Sequence, residues 1–325
     1  MGYAFMSRPI YKRLLRWLDS SVPQDGTSEA LENKVDWLRV LPFVALHLAC
    51  FAVIWVGWSL FAVLFAVALY GIRMFAVTGF YHRYFSHKAF RTSRLLQFIF
   101  ALIGSTAVQR GPLWWASQHR HHHVNSDQHE DAHSPVQHGF LWSHLGWFLS
   151  DAHFATRTDR VKELAQYPEL RFLDRFDIVV PVLFALAIYG LGEWLANVAP
   201  NLGTNGLQLL VWGFVISTVA LYHATFSVNS LAHTWGNRRY ETRDHSRNNL
   251  LIALFTLGEG WHNNHHHYPG AARQGFYWWE IDLTYYGLKM LAACGLIWDL
   301  KTVPANVRES RLVNESRNVN EQKHQ

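Results

Sequence analysis

Cysteine is almost absent from this 325-residue chain: Cys50 and Cys294 stand alone, both in apolar surroundings. Two thiols so placed form no CxxC, no zinc knuckle and no disulfide framework, which argues against iron–sulfur and thiolate chemistry. Charge is missing over long stretches, with no Asp, Glu, Lys or Arg from Leu41 to Ile72 or from Trp194 to Asn237. Such runs exceed the ~20 residues that cross a ~30 Å hydrocarbon core, so a water-soluble globule is ruled out as the leading reading. Also absent are a GxGxxG dinucleotide motif, a flavin signature, and the apolar core and cleavage site of a signal peptide. The net charge of +5 does not argue for nucleic acid, because most basic residues flank hydrophobic segments, where they orient a chain in a membrane.

What is present organises into spans. Residues 39–56 and 58–78 predict one membrane hairpin turning near Gly57, and 176–194 with 207–228 predict a second. The apolar stretch 95–109 is short for a span and reads as buried or re-entrant. All 29 Lys and Arg lie outside 41–72 and 176–237, the regions that hold the hairpin turns. The positive-inside rule then places both turns away from the cytoplasm, and both termini, 81–175 and 238–325 in it. Ile10, Leu14, Trp17 and Leu18, with Lys12, Arg13 and Arg16 between them, suggest an N-terminal interfacial helix. The polar composition from Ala305 onward reads as a disordered tail. The resulting division is an N-terminal segment 1–37, a domain 38–304 and a tail 305–325.

Histidine is the abundant residue. Eleven of the 20 histidines lie between His82 and His153, and four more between His262 and His267. Three strings stand out, HRYFSH at 82–87, HRHHH at 119–123 and HNNHHH at 262–267. His119, His122 and His123 stand at i, i+3 and i+4, on one helical face, and so do His262, His265 and His266. His82 and His87 are five apart, about 140° around an α-helix, and need a helix end to meet a shared centre. Neutral imidazole binds iron, zinc, copper and nickel. Eight imidazoles from three segments exceed the needs of one metal and suit two.

This combination resembles the integral-membrane fatty acyl desaturases, of the stearoyl-CoA and acyl-lipid Δ9 kind and closest to the bacterial type. That family carries an HxxxxH box and two HxxHH boxes in this order. The resemblance extends to SHLGW at 143–147, NSLAH at 229–233, GEGWHNNHH at 258–266 and QRGPLWWASQH at 109–119, covering roughly residues 40–300. It implies an all-α membrane protein with four spans and a cytoplasmic helical cap holding two Fe²⁺ ions. The ligands it implies are His82, His87, His119, His122, His123, His233, His262, His265 and His266, with Asn229 approaching one metal through water. His121 and His267 fall outside the family spacing.

Asp127, His129, Asp131, His133 and His144 are candidates to orient ligating imidazoles, which usually donate their second N–H to a carboxylate or carbonyl. Phe80, Tyr81, Trp114, Trp115, Trp142, Trp147 and Trp261 are candidates for the wall of an acyl tunnel, although aromatics near a membrane interface also serve as anchors.

The activity implied is O₂-dependent insertion of a cis double bond, at Δ9 by default, into a saturated acyl chain on CoA or membrane lipid. No flavin or haem is bound, so a separate reductase and small carrier must supply electrons, docking on the cytoplasmic face of what reads as a bacterial inner membrane. Arg238, Arg239, Arg243 and Arg247 could attract an acidic carrier or lipid headgroups. One departure bears on the acyl carrier. Animal acyl-CoA desaturases have a basic pair shortly after SHxGW, where this chain has Asp151 and Ala152, which leaves phospholipid open.

Rival readings fare worse. HEDAH at 129–133 fits the HExxH zinc-protease string, but Pro135 follows and no helix is evident to carry it. Glu130–His133 and Glu259–His262 fit the Glu-x-x-His of soluble di-iron bundles, which need further helical Glu. A metal transporter should carry paired ionisable groups within its spans, where only His47, Glu193 and His223 occur. A hydroxylase or decarboxylase on the same scaffold remains the alternative within the enzyme class. The four-residue gap in HRYFSH favours desaturation.

Overall fold

The computed structural model describes residues 14–22 and 35–313, mostly helical, with one short antiparallel ladder pairing Arg91–Thr92 with Ile297–Trp298. The described residues form two compact units: those within 1–73, 101–118 and 145–222 in one, and those within 74–100, 119–144 and 223–325 in the other.

The first unit holds the apolar hairpins. Helix α1, Trp37–Ala49, starts at Asp36, whose carboxylate accepts from the Leu38 N–H as an N-cap should. It tightens into a 3₁₀ turn at Cys50–Ala52, resumes over Val53–Val56 and stops at Gly57, whose φ of 64° suits glycine. Helix α2, Leu60–Ser86, is 27 residues long and continuously apolar at its start.

The turn between α1 and α2 would leave carbonyls unpaired in lipid, where no water satisfies them. Helix α7, Gly206–His233, supplies the donors. Gln208 Nε2 donates to Val56 O at 3.0 Å, Trp212 Nε1 to Gly57 O at 2.9 Å, and Ser59 Oγ to Gln208 Oε1 at 2.8 Å.

In the second hairpin, α6 (Val179–Val198) turns into α7 through Pro200 and Gly203, with Asn205 capping the Gln208 N–H. The two helices close tightly at a pair of glycines: a Cβ on Gly192 would lie 2.6 Å from Asn205 O and Gly206 Cα. Small residues at a crossing are how helices approach in lipid. Arg73 is buried in α2, and its guanidinium is satisfied by the hydroxyls of Thr218 and Ser217 and by the carbonyls of Thr106 and Leu69.

Among the described residues three helices, α2, α6 and α7, are long and apolar enough to cross a membrane; Val40–Val56, expected as a full span, is a shorter apolar helix. The stretch expected at 95–109 is helix α3, Arg94–Ser105, and a short helix α5, Pro168–Arg175, precedes the second hairpin.

The second unit gathers the far end of α2, most of the histidine-bearing half of α4 (Pro112–Asn125), the end of α7, and three short helices. These are α8 (Leu250–Phe255), α9 (His262–His267) and α10 (Leu283–Ala293). Residues 305–313 depart from the disordered tail expected of their composition. They form a helical turn at Ala305–Arg308 and are pinned by Tyr240 Oη to Arg308 O, Glu241 N to Arg311 O and Val313 N to Arg239 O. Backbone hydrogen bonding to the 239–241 strand-like segment outweighs local polarity there. Most of the expected interfacial helix, and residues 314–325, lie outside the described residues.

Candidate metal centre

All nine histidines singled out from the three strings and from NSLAH lie in the second unit, and they come together as two sets. His82, His87, His119, His123 and His265 have ligand atoms within 4.8 Å of one another, and so do His122, His233, His262 and His266. The sets are neighbours: the rings of His123 and His266, one from each, stack with centroids 4.4 Å apart.

Local backbone explains each placement. Helix α2 widens after Phe75 into turns with i→i+5 hydrogen bonding, ending with the His87 N–H on His82 O at 3.2 Å. An extra residue per turn brings i and i+5 round towards the same side, and the His82 and His87 rings lie 4.8 Å apart. This removes the 140° misfit of an ordinary α-helix. On α4 and α9 regular helical spacing does the work. His233 ends α7 in a single 3₁₀ turn, Leu231–His233.

Nitrogen spacing tests whether a metal fits. The Nε2 pairs His82–His265, His87–His119, His119–His123, His123–His265 and His233–His262 stand 2.8–3.0 Å apart. Two ligands at ~2.1 Å from one ion on adjacent octahedral corners are ~3.0 Å apart. His122 Nε2 and His266 Nε2 are buried with no hydrogen-bond partner among the described residues, a costly state that an ion would relieve. The donor set fits two metals.

Electrostatics agrees. Burial first, and neighbouring imidazoles second, hold His87, His119, His123, His262 and His265 well below the usual histidine value. They are neutral at pH 7, as ligation requires. His122 goes the other way, because burial is outweighed by the adjacent Asp131 carboxylate.

Carboxylates hold the opposite ring edges. Asp131 faces His122 Nδ1 at 3.0 Å, Asp127 faces His233 Nδ1 at 2.9 Å, and Asp244 faces His266 Nδ1 at 2.6 Å. Burial would raise these acids, but the paired imidazoles overcome it and leave each well below the ordinary carboxylate range. Asp127 is itself fixed by Ser134 Oγ and the His245 N–H, and its own N–H donates to Asp131. Asp244 was not anticipated, since nothing in the pattern of TRDHSR singles it out.

Nor was the anchor of His82. Glu259 Oε2 sits 2.5 Å from His82 Nδ1, and Glu259 accepts from Gln274 Nε2 at 2.8 Å and from Arg83 Nη2 at 3.1 Å. Arg83, fully buried, also bridges to Asp282 at 3.0 Å and donates to Ala272 O at 2.7 Å. The glycines of GEG make this possible. Gly258 has φ +133°, and a Cβ there would lie 2.5 Å from Asp282 Oδ1; a Cβ on Gly260 would lie 2.1 Å from Ala253 N. Glu259 thus contacts an imidazole carried by another helix, His82.

The remaining candidates are placed as follows. His144 does not reach the nine imidazoles: its nitrogens pair with Ser230 Oγ at 2.9 Å and His223 Nδ1 at 3.1 Å. His133 is buried against His122, with ring centroids 4.3 Å apart. Burial first, then His122, lowers its pKa to about 3. His129 is exposed and no helix carries 129–133, so the HExxH string has no shared face. His121 bonds Glu130 O and His267 bonds Val307 O, so both pin loops. Asn229 lies one turn before His233, and its carbonyl accepts from Ser143 Oγ.

Phe80 stacks on Phe100 at 3.8 Å, Tyr81 is buried edge-on to Phe85, and Trp114 stacks on Trp147 at 5.7 Å. Trp115 donates to Gln109, Trp142 to Ala132 O and Trp261 to Ile281 O. Of the four arginines, Arg239 is ion-paired with Glu280, while Arg238 and Arg247 donate to the carbonyls of Thr242 and Gly236.

Comparison with known proteins points the same way. Residues 57–292 match the family pattern described as fatty acid desaturase. An acyl-CoA C20 Δ5-desaturase of Anemone leveillei is 36% identical over 285 residues, 86% of each chain. A palmitoyl-monogalactosyldiacylglycerol Δ7 desaturase of Arabidopsis thaliana is 37% identical over 255 residues, 77% of this chain and 65% of that one. An sn-1 stearoyl-lipid 9-desaturase of Anabaena variabilis is 35% identical over 271 residues, 82% and 94% of the two chains.

Proposed function

This chain belongs to the fatty acid desaturase family, and we propose that within it the enzyme inserts a cis double bond at Δ9 of a saturated acyl chain carried on CoA or membrane lipid. That it is a membrane protein and a fatty acyl desaturase, an oxidoreductase, follows from the family. Regiospecificity varies among the relatives, from Δ5 and Δ7 to Δ9. The cyanobacterial Δ9 acyl-lipid enzymes, matched over most of both chains, support the Δ9 assignment. Asp151 and Ala152 after SHLGW favour a lipid-borne chain.

The observation that carries the reading is the pair of adjacent, buried imidazole sets. Two iron ions held there would activate O₂ with two electrons and supply the oxidising power that an unactivated methylene requires, which no side chain has. His82, His87, His119, His123 and His265 would hold one ion, and His122, His233, His262 and His266 the other, with Asn229 reaching it through water. Burial keeps most of these rings neutral and lone-pair-bearing. Asp127, Asp131, Asp244 and Glu259 fix ring rotation and tautomer, and raise ligand basicity. Phe80, Tyr81, Trp142 and Trp261, all in the unit that carries the imidazole sets, would confine the acyl chain and keep bulk water from it. Electrons would arrive from a separate reductase through a small carrier on the cytoplasmic face of a bacterial inner membrane, where both termini also lie. Residues 38–304 would form the desaturase domain.

The test is fatty-acid analysis by gas chromatography–mass spectrometry, with double bonds located by derivatisation and lipid classes separated. Aerobic cells with a compatible electron donor would make either wild type or His262→Ala. A new Δ9 alkene with wild type alone is the expected result. An alcohol or terminal alkene would sink desaturation, and an internal alkene elsewhere would sink Δ9.

A further inference from the structure

Helix α10 is apolar on two faces, and among the described residues only one of them is covered. Thr284 and Leu288 are fully buried, Thr78 and Thr284 share a hydroxyl hydrogen bond at 2.7 Å, and Gly287 lies where a Cβ would be 2.4 Å from Phe75. That face packs on the last turns of α2, a helix long and apolar enough to span a bilayer. The opposite stripe, Leu283, Tyr286 and Met290 at i, i+3 and i+7, is exposed, Met290 by 71%. An apolar helix stripe left open to water is unfavourable and calls for an apolar cover.

The same surface continues onto α8. Thr284 N donates to Leu257 O at 2.8 Å, and Trp261 Nε1 to Ile281 O at 2.8 Å, which ties the end of α8 to the start of α10. Leu251 and Leu254 of α8 are exposed, and Trp278 in the intervening turn is exposed by 80%. From Leu250 to Gly258 there is no charged residue, and Lys289 is the only one in α10.

We propose that this face, formed by α8, the turn at Trp278 and α10, is seated in the acyl region of the bilayer leaflet, as a membrane contact separate from the spanning helices. The occupant is lipid because the face is uncharged over both helices except for Lys289, and α10 is packed on a helix long and apolar enough to span a bilayer. Its composition also fits, with a Trp at the rim, Leu and Met within, and a single Lys able to reach headgroups. The seat has a consequence for the centre. The turn that follows α8 carries Glu259, which holds His82, so lipid contact and metal geometry share one short segment.

The experiment places single cysteines at Leu251, Leu254, Trp278 and Met290 in a chain with Cys50→Ala and Cys294→Ala, adds a nitroxide label, and reconstitutes one copy per nanodisc. Collisions with O₂ and with a water-soluble nickel chelate are compared, with Arg91→Cys, 74% exposed in the parent, as the aqueous control. The expected result is O₂ dominance at the four positions and chelate dominance at the control. Chelate dominance at the four overturns the proposal, and so does shielding from both reagents, which would mean a protein partner. Independently of any label, lipids brominated on their acyl chains should quench a fraction of tryptophan emission that Trp278→Phe removes. An unchanged quenchable fraction would also overturn it. Neither readout depends on desaturation, so failure here is distinct from failure of the assigned activity.

Discussion

Removing the guanidinium of Arg83 should cost far more than its position outside the ligand set suggests. The group is fully buried and neutralises two buried carboxylates at once, Glu259 at 3.1 Å and Asp282 at 3.0 Å. Arg83→Met keeps much of the volume and removes the charge, leaving both acids uncompensated. Breaking a buried pair costs about 3–5 kcal/mol, a large share of a total stability of about 5–15 kcal/mol. At roughly 2–4 °C per kcal/mol for a chain of this size, the melting temperature should fall by about 10 °C. The control is Arg91→Met, whose partner Asp299 lies at 3.3 Å with both side chains mostly exposed. A surface pair contributes about 0–1 kcal/mol, so that variant should melt within about 2 °C of wild type. Thermal unfolding in lipid–detergent micelles, followed by intrinsic fluorescence, compares the two. Equal melting temperatures for Arg83→Met and Arg91→Met would refute the argument that this buried network supports the second unit.

Three further outcomes are expected. Gly260→Ala should destabilise by about 1–3 kcal/mol or more, because its Cβ would collide with backbone at Ala253 and Asn249, whereas Gly270→Ala, with open space around it, should be neutral in the same melting assay. Metal-free protein should lose stability as pH falls below about 6.5, by up to about 1.4 kcal/mol per pH unit for each buried histidine. The sign follows because rings held well below 6.5 in the folded state, such as His87 and His262, take up protons in the unfolded chain first; melting curves at pH 5 and pH 7.5 check it. Asp127→Asn and Asp244→Asn should each weaken metal binding about 10–100-fold, measured by competition with a chromophoric chelator.

How much of this was legible in sequence depended on the range of the interaction involved. On α4 and α9 the i, i+3, i+4 spacing suffices, because a regular helix turns sequence distance directly into angle. The pairing of His82 with His87 was not readable in that way, because it rests on a widened helical segment, Ala76–Ser86, in place of regular α-helix. Spans were legible from absent charge, but the break of α1 at Cys50–Ala52 was not, since its residues are as apolar as their neighbours. Asp127 and Asp131 lie close after α4 and could be nominated, whereas Asp244 and Glu259 reach their histidines only through folding. The 305–313 segment misled because polar composition carries no information about backbone pairing with residues 239–241.

The most direct test of the central claim is an anomalous difference map, recorded at the iron edge, from crystals of protein made in iron-replete aerobic cells. Two peaks are expected, one about 2.1 Å from nitrogens of the His82, His87, His119, His123 and His265 set and one within the His122, His233, His262 and His266 set. A single peak, or a peak held instead by His122, Asp131 and His133, which also approach one another within ligand range, would contradict it.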